Sequence, residues 1–194
     1  MKFALAETDR AWAADFFRRG GTFCALAPPG SSAAYLAWAL RHEFQRPMLW
    51  VTDGPKTLDA FFRDLQSLAG GHASDLAYYP AWESLPGHGA VPHADLLGDR
   101  LETLYRLQGE RPPSIVATCV QALMQRTLAL PALRDSMAIL AAGQEADPAQ
   151  LAARLEAAGF AFHPEIHQKG EAAWRGGILD VWPTVSARGL RLPM

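Results

Sequence analysis

Apolar residues recur along this chain at helical spacing, at strand spacing and in short unbroken runs, and their order predicts its elements. Residues 8–19 place Trp12, Phe16 and Phe17 on the inner side of an amphipathic helix, which Gly20-Gly21 ends. Thr22–Ala27 is an apolar run between Gly and Pro, the pattern of a buried strand. The turn Pro28-Pro29-Gly30-Ser31-Ser32 follows, with Ser31 or Ser32 as cap of a helix running to about Phe44. Met48–Thr52 predicts a strand, 56–69 a helix broken by Gly70-Gly71, and Leu76–Tyr79 another strand. Pro80–Pro92 is rich in Pro and Gly and predicts a structured loop. Ala94–Leu107 predicts a helix, with Leu97, Leu101, Leu104, Tyr105 and Leu107 near helical spacing. Then come a β-branched strand over Ser114–Thr118, a helix of about 119–128 and one more strand over Met137–Leu140.

Strand and helix alternate throughout 21–128, which predicts βαβ units around a parallel sheet. After Gly143 the texture changes. Asp147-Pro148 opens a helix, Asp as cap and Pro in the first turn, and Gly159 ends it. Two extended stretches, Phe160–His167 and Ala172–Val181, flank the turn Gln168-Lys169-Gly170-Glu171, and together they predict a hairpin. The fold class is therefore α/β over 1–136, followed by a smaller α+β domain over 137–194, with the boundary near 136–142.

Composition narrows the function classes. The 194 residues are 49% hydrophobic and 20% charged, which suits a folded globular chain rather than a disordered one. No apolar run reaches the roughly 18 residues of a membrane span, and no basic stretch with an apolar core opens the chain. The net charge of −2 lacks the basic surplus that usually drives phosphate-backbone binding. Cys24 and Cys119 each lie in an apolar run, as buried reduced thiols do, and a cytoplasmic location is the expectation.

Candidate chemistry is sparse. The turn after the first strand stands where a phosphate loop, G-x-x-x-x-G-K-[ST], would stand. Here the residues are Ala25-Leu26-Ala27-Pro28-Pro29-Gly30-Ser31-Ser32: the last glycine and a hydroxyl are present, and the first glycine and the lysine are not. Two prolines also remove N–H donors from the cradle. His163, Glu165 and His167 would share one face of a strand, a possible metal set, yet no fourth ligand has recognisable spacing. His88, His93 and Asp95 lie in the loop and read as ordinary loop residues. Neither cysteine is electropositively placed, and no nucleophile elbow occurs. Tyr78, Tyr79 and Trp82 offer stacking surfaces but have no basic neighbours, so packing is the better reading. The C-terminal segment sets Arg175, Arg188 and Arg191 near Trp174 and Trp182. These residue types dominate protein-interaction hot spots, although a solvated edge would look the same.

Three segments carry a family resemblance. They are Ala81-Trp82-Glu83-Ser84-Leu85-Pro86 through Pro92-His93-Ala94-Asp95, then Arg100-Leu101-Glu102-Thr103-Leu104-Tyr105-Arg106-Leu107, and Arg175-Gly176-Gly177-Ile178-Leu179-Asp180-Val181-Trp182-Pro183, with Leu123-Met124-Gln125-Arg126 in addition. Their order and spacing resemble the N-terminal region of the bacterial transcription-repair coupling factors, the Mfd family, specifically over about 76–183. UvrB shares the R-G-x-x-x-D-x-[FW]-P ending. The resemblance implies a helicase-like α/β domain that has lost its phosphate loop (Gly30, Ser31 and Ser32 remain), followed by a partly truncated α+β domain that binds UvrA. It places the UvrA-contacting arginines on Arg175 and Arg191, supported by Gly176 and Gly177, and a further contacting phenylalanine just past Met194. It implies no catalysis or cofactor in this segment. ATP and magnesium, and contacts with RNA polymerase and DNA, would belong to domains of a longer protein, against which this segment would also pack. The alternative is a UvrB-like nucleotide and DNA binder, which needs a working phosphate loop.

Overall fold

A computed structural model describes residues 6–22, 30–83, 93–135, 143 and 146–185, together with the backbone of 190–193. The elements in chain order are α1 (Glu7–Arg19), α2 (Ser32–Phe44), β1 (Met48–Thr52), α3 (Pro55–Ala69), β2 (Leu76–Tyr79), α4 (Ala94–Arg106), β3 (Ile115–Cys119), α5 (Val120–Met124), α6 (Leu130–Asp135), α7 (Pro148–Ala157), β4 (Ala161–Phe162), β5 (Glu171–Arg175), β6 (Ile178–Val181) and β7 (Leu190–Pro193). They form two compact units, one of residues 1–81 with 106–125 and one of 82–105 with 126–194.

The first unit is built on a parallel sheet of order β1-β3-β2. β3 is central and buried at all five positions, which is why it reads as an unbroken apolar and β-branched run. Its Thr118 hydroxyl is satisfied by donating to the Tyr79 carbonyl at 2.8 Å. α3 turns a regular apolar stripe, Leu58, Phe61, Leu65 and Ala69, onto this sheet, and Phe61 stacks on Trp50 at 4.8 Å. Pro55 starts the helix, and Gly70, at φ 53°, ends it with its N–H on the Gln66 carbonyl. Full burial of Leu58 and Leu65 stabilises the unit by about 2 kcal/mol each.

The second unit holds a mixed sheet of order β4-β5-β6-β7. Ala172, Leu179 and Val181 meet Leu151, Leu155 and Phe160 in its apolar cluster. Asp147 caps α7 through a 2.9 Å bond from the Ala149 N–H, as its place before Pro148 predicts. α4 also belongs to this unit: Arg100, only 1% exposed, lies 4.4 Å over the Trp82 ring.

Several expectations need correction. The two extended stretches 160–167 and 172–181 do not form a hairpin with each other. β4 is two residues long and runs parallel to β5, while 172–181 is itself two antiparallel strands folded at Gly176-Gly177. Trp12 is 45% exposed, and Ala13 is the buried residue of α1. On α4 the buried positions are Gly98, Arg100 and Thr103, with Tyr105 and Leu107 exposed. Ser31 stands at the cap position of α2, but its side chain makes no cap bond. The helix at 119–128 closes at Met124, and α6 follows as a separate turn. The expected strands at 22–27 and 137–140 lie largely or wholly outside the described residues.

Candidate functional site

Arg175 ends β5 and pairs in register with Ile178, so Gly176 and Gly177 alone make the connection. Both glycines have positive φ, 53° and 85°. A two-residue turn with φ > 0 at both positions follows the right-handed strand twist, and residues with a Cβ adopt it at a cost. The turn therefore puts Arg175 at the tip of the hairpin, with its side chain half-exposed.

Two carboxylates flank the guanidinium. One nitrogen lies 3.3 Å from Glu165 Oε1, and another lies 3.6 Å from Asp180 Oδ2. Their environments differ. Asp180 is buried on β6, two residues beyond the turn strand's start, and its register partners are Ala173 and Arg191. Glu165 is exposed, in the loop between β4 and β5. Exposed Ile178 pairs with Arg175 in register and shares its face, while exposed Trp174 and Phe162 lie on the opposite face of the sheet.

Glu171, at the start of β5, organises that loop. Its carboxylate accepts the backbone N–H groups of His167 at 2.6 Å and Gln168 at 3.1 Å, and His163 Nε2 lies 3.7 Å away. The His167 N–H is the main reason that its carboxyl titrates below the usual glutamate range; burial opposes this, and the Gln168 N–H and the His163 charge assist. On α4, the hydrogen bond from Lys169, 2.8 Å away, holds Asp95 below the usual aspartate range against its own desolvation. Asp99 is displaced upward, chiefly by burial, with Asp95 and Glu102 adding repulsion and Lys169 opposing.

The other candidates disperse. His163, Glu165 and His167 lie past the end of β4 and not on a strand, so they share no strand face. His163 faces Glu171, Glu165 faces Arg175, and the His167 backbone serves the loop. Among the described residues no group of three His, Cys, Asp or Glu is placed to hold a metal ion. His93 meets Asp95 at 3.5 Å, and His88 lies outside the described residues. Cys119 is fully buried and free, and Cys24 is outside the described residues. Gly30, at φ 82°, and Ser31 lead into α2 at Ser32, while 25–29 are not described. Tyr79 is buried, Tyr78 packs on Phe62 at 5.0 Å and bonds Asp59, and Trp82 packs on Arg100, so these aromatics do serve packing. Asp59, Phe62, Arg63 and Tyr78 line an open depression of about 450 Å³. Sequence reasoning missed the two carboxylates at Arg175. Register places Asp180 and the β4–β5 loop places Glu165, and the local trace of the pair is an acidic residue three positions after the glycine pair.

The chain is similar to known transcription-repair-coupling factors. A transcription-repair-coupling factor of Myxococcus xanthus is 32% identical over 168 residues, 84% of this chain. The chain matches the N-terminal part of transcription-repair-coupling factors. One from Bacillus subtilis (strain 168) is 27% identical over 165 residues, 85% of this chain, and one from Escherichia coli (strain K12) is 32% identical over 111 residues, 57% of it. The chain spans about 14% of the length of the Myxococcus and Bacillus coupling factors and 10% of the Escherichia one. No protein-family model matches the chain. No described helix is long and apolar enough to cross a membrane.

Proposed function

We propose that this chain is the UvrA-recruiting module of a transcription-repair coupling factor, acting in transcription-coupled nucleotide excision repair in the cytoplasm. The observation that supports it most is Arg175, half-exposed at the tip of a two-glycine hairpin, in a chain whose relatives are coupling factors. Arginine pairs with a carboxylate through two parallel hydrogen bonds, and it is one of the residues enriched in interaction hot spots. Arg191 stands opposite Asp180 in the register of β7, and this reading takes it as the second UvrA contact.

The parallel-sheet unit is, in this reading, a helicase-like domain with a degenerate phosphate loop. Gly30 and the hydroxyl residues persist, and the lysine that would reach a terminal phosphate is missing from the sequence. Catalysis is then absent from the segment. ATP and magnesium act in motor domains of the longer protein, which also engages RNA polymerase and DNA. Titration calorimetry of the chain against UvrA, without DNA, tests recruitment. Saturable binding is expected, with Arg175→Glu weakening it by at least about 30-fold, the equivalent of a 2 kcal/mol hot spot. Unchanged affinity in that variant would move the surface elsewhere. Addition of nucleotide should leave the thermal midpoint unmoved; a rise would instead support the UvrB-like nucleotide-binding alternative.

A further inference from the structure

We propose that Glu165 is a built-in competitor for the partner carboxylate: it occupies one side of the Arg175 guanidinium and must swing away when UvrA binds. This rests on the recruitment reading of the hairpin. The case begins with the asymmetry of the two carboxylates. Asp180 is buried in the sheet on β6 and cannot leave without unfolding it, so it acts as a fixed anchor that orients the guanidinium. Glu165 is exposed and meets one terminal guanidinium nitrogen of Arg175, at 3.3 Å, the other terminal nitrogen facing Asp180.

The backbone on both sides of Glu165 is tethered. The His163 N–H donates to the Ala172 carbonyl at 2.9 Å, and the His167 N–H donates to Glu171 at 2.6 Å. Glu165 is therefore held at the tip of a short span and delivered to Arg175 by the fold. Its side chain alone needs to rotate for the contact to break. An exposed ion pair of this kind is worth little, so it is easily displaced yet still lowers affinity for any ligand that needs the same nitrogen. The partner group selected is a carboxylate approaching the hairpin tip from the β4–β5 loop side, where it takes over the position of the Glu165 carboxylate.

Calorimetry of the full chain with UvrA tests this with two variants. Glu165→Gln removes the competing charge. Glu165→Asp keeps the charge but shortens the side chain by one methylene, which breaks a contact already at 3.3 Å. Competition predicts tighter binding in both, about two- to fivefold for Glu165→Gln and less for Glu165→Asp. Tightening by Glu165→Gln alone would overturn the proposal in favour of long-range charge. Unchanged or weaker binding in Glu165→Gln would also overturn it, by showing that Glu165 merely holds Arg175 in place. Absence of wild-type binding would overturn the recruitment reading itself, an outcome distinct from the others.

Discussion

Gly98 sits inside a helix, where glycine costs about 1 kcal/mol relative to alanine. It is required there because a Cβ would lie 1.9 Å from the Thr184 carbonyl oxygen, a backbone atom that cannot rotate aside. We expect Gly98→Ala to destabilise the chain by roughly 2–3 kcal/mol in urea denaturation, against the gain in helix propensity. Two carboxylates of the same unit carry opposite pH signatures. Glu171 titrates below its ordinary value, so its contribution is complete above the ordinary glutamate range and fades as pH falls through the lowered value. Glu171→Gln should flatten that acid limb of the stability profile. Asp99 titrates above its ordinary value, so it penalises the folded state at neutral pH and not below the ordinary aspartate range. Asp99→Asn should therefore raise the denaturation midpoint at pH 7 and leave it unchanged in strong acid.

Among the elements, the β5–β6 hairpin depends on its turn. Gly176→Asn should be tolerated, because asparagine accepts positive φ, whereas Gly177→Val should cost about 1–2 kcal/mol by thermal denaturation. Elements were legible in the sequence where local chemistry alone determines them. The run Ser114–Thr118 announced β3 by its unbroken apolar character, and Asp147-Pro148 announced α7 by its cap. Tertiary context decided the rest. Nothing in Ala161-Phe162 says that β4 pairs parallel with β5, and the continuous extended character of 172–181 concealed the glycine pair as a turn. Helical spacing on α4 marked Tyr105 and Leu107 as core, but the helix packs through its small residue, Gly98, and through Arg100. The candidate site divides in the same way. Arg175 was legible from the motif around it, whereas its carboxylate neighbours follow from strand register and a loop path.

For the whole molecule, the two units draw on interleaved stretches of sequence, since 82–105 joins 126–194. Each unit has its own core, so damage to one should spare the other. Hydrogen exchange on Gly98→Ala should show lost protection over α7, β5 and β6, with the β3 amides protected as in the wild type. Uniform loss across both would mean that the units unfold together.

The sheet order β1-β3-β2 also bears on how the protein is made. The central strand is the last of the three to leave the ribosome. Until Ile115–Cys119 emerges, β1 and β2 have no ladder partner in each other, and each presents unpaired backbone to whatever lies nearby. α4 is synthesised in that interval, well before Lys169 and Thr184, which it later meets, exist. A nascent chain paused between residues 107 and 114 would thus hold two open strand edges and a helix still missing its later partners Lys169 and Thr184, the state in which a chaperone has most to bind.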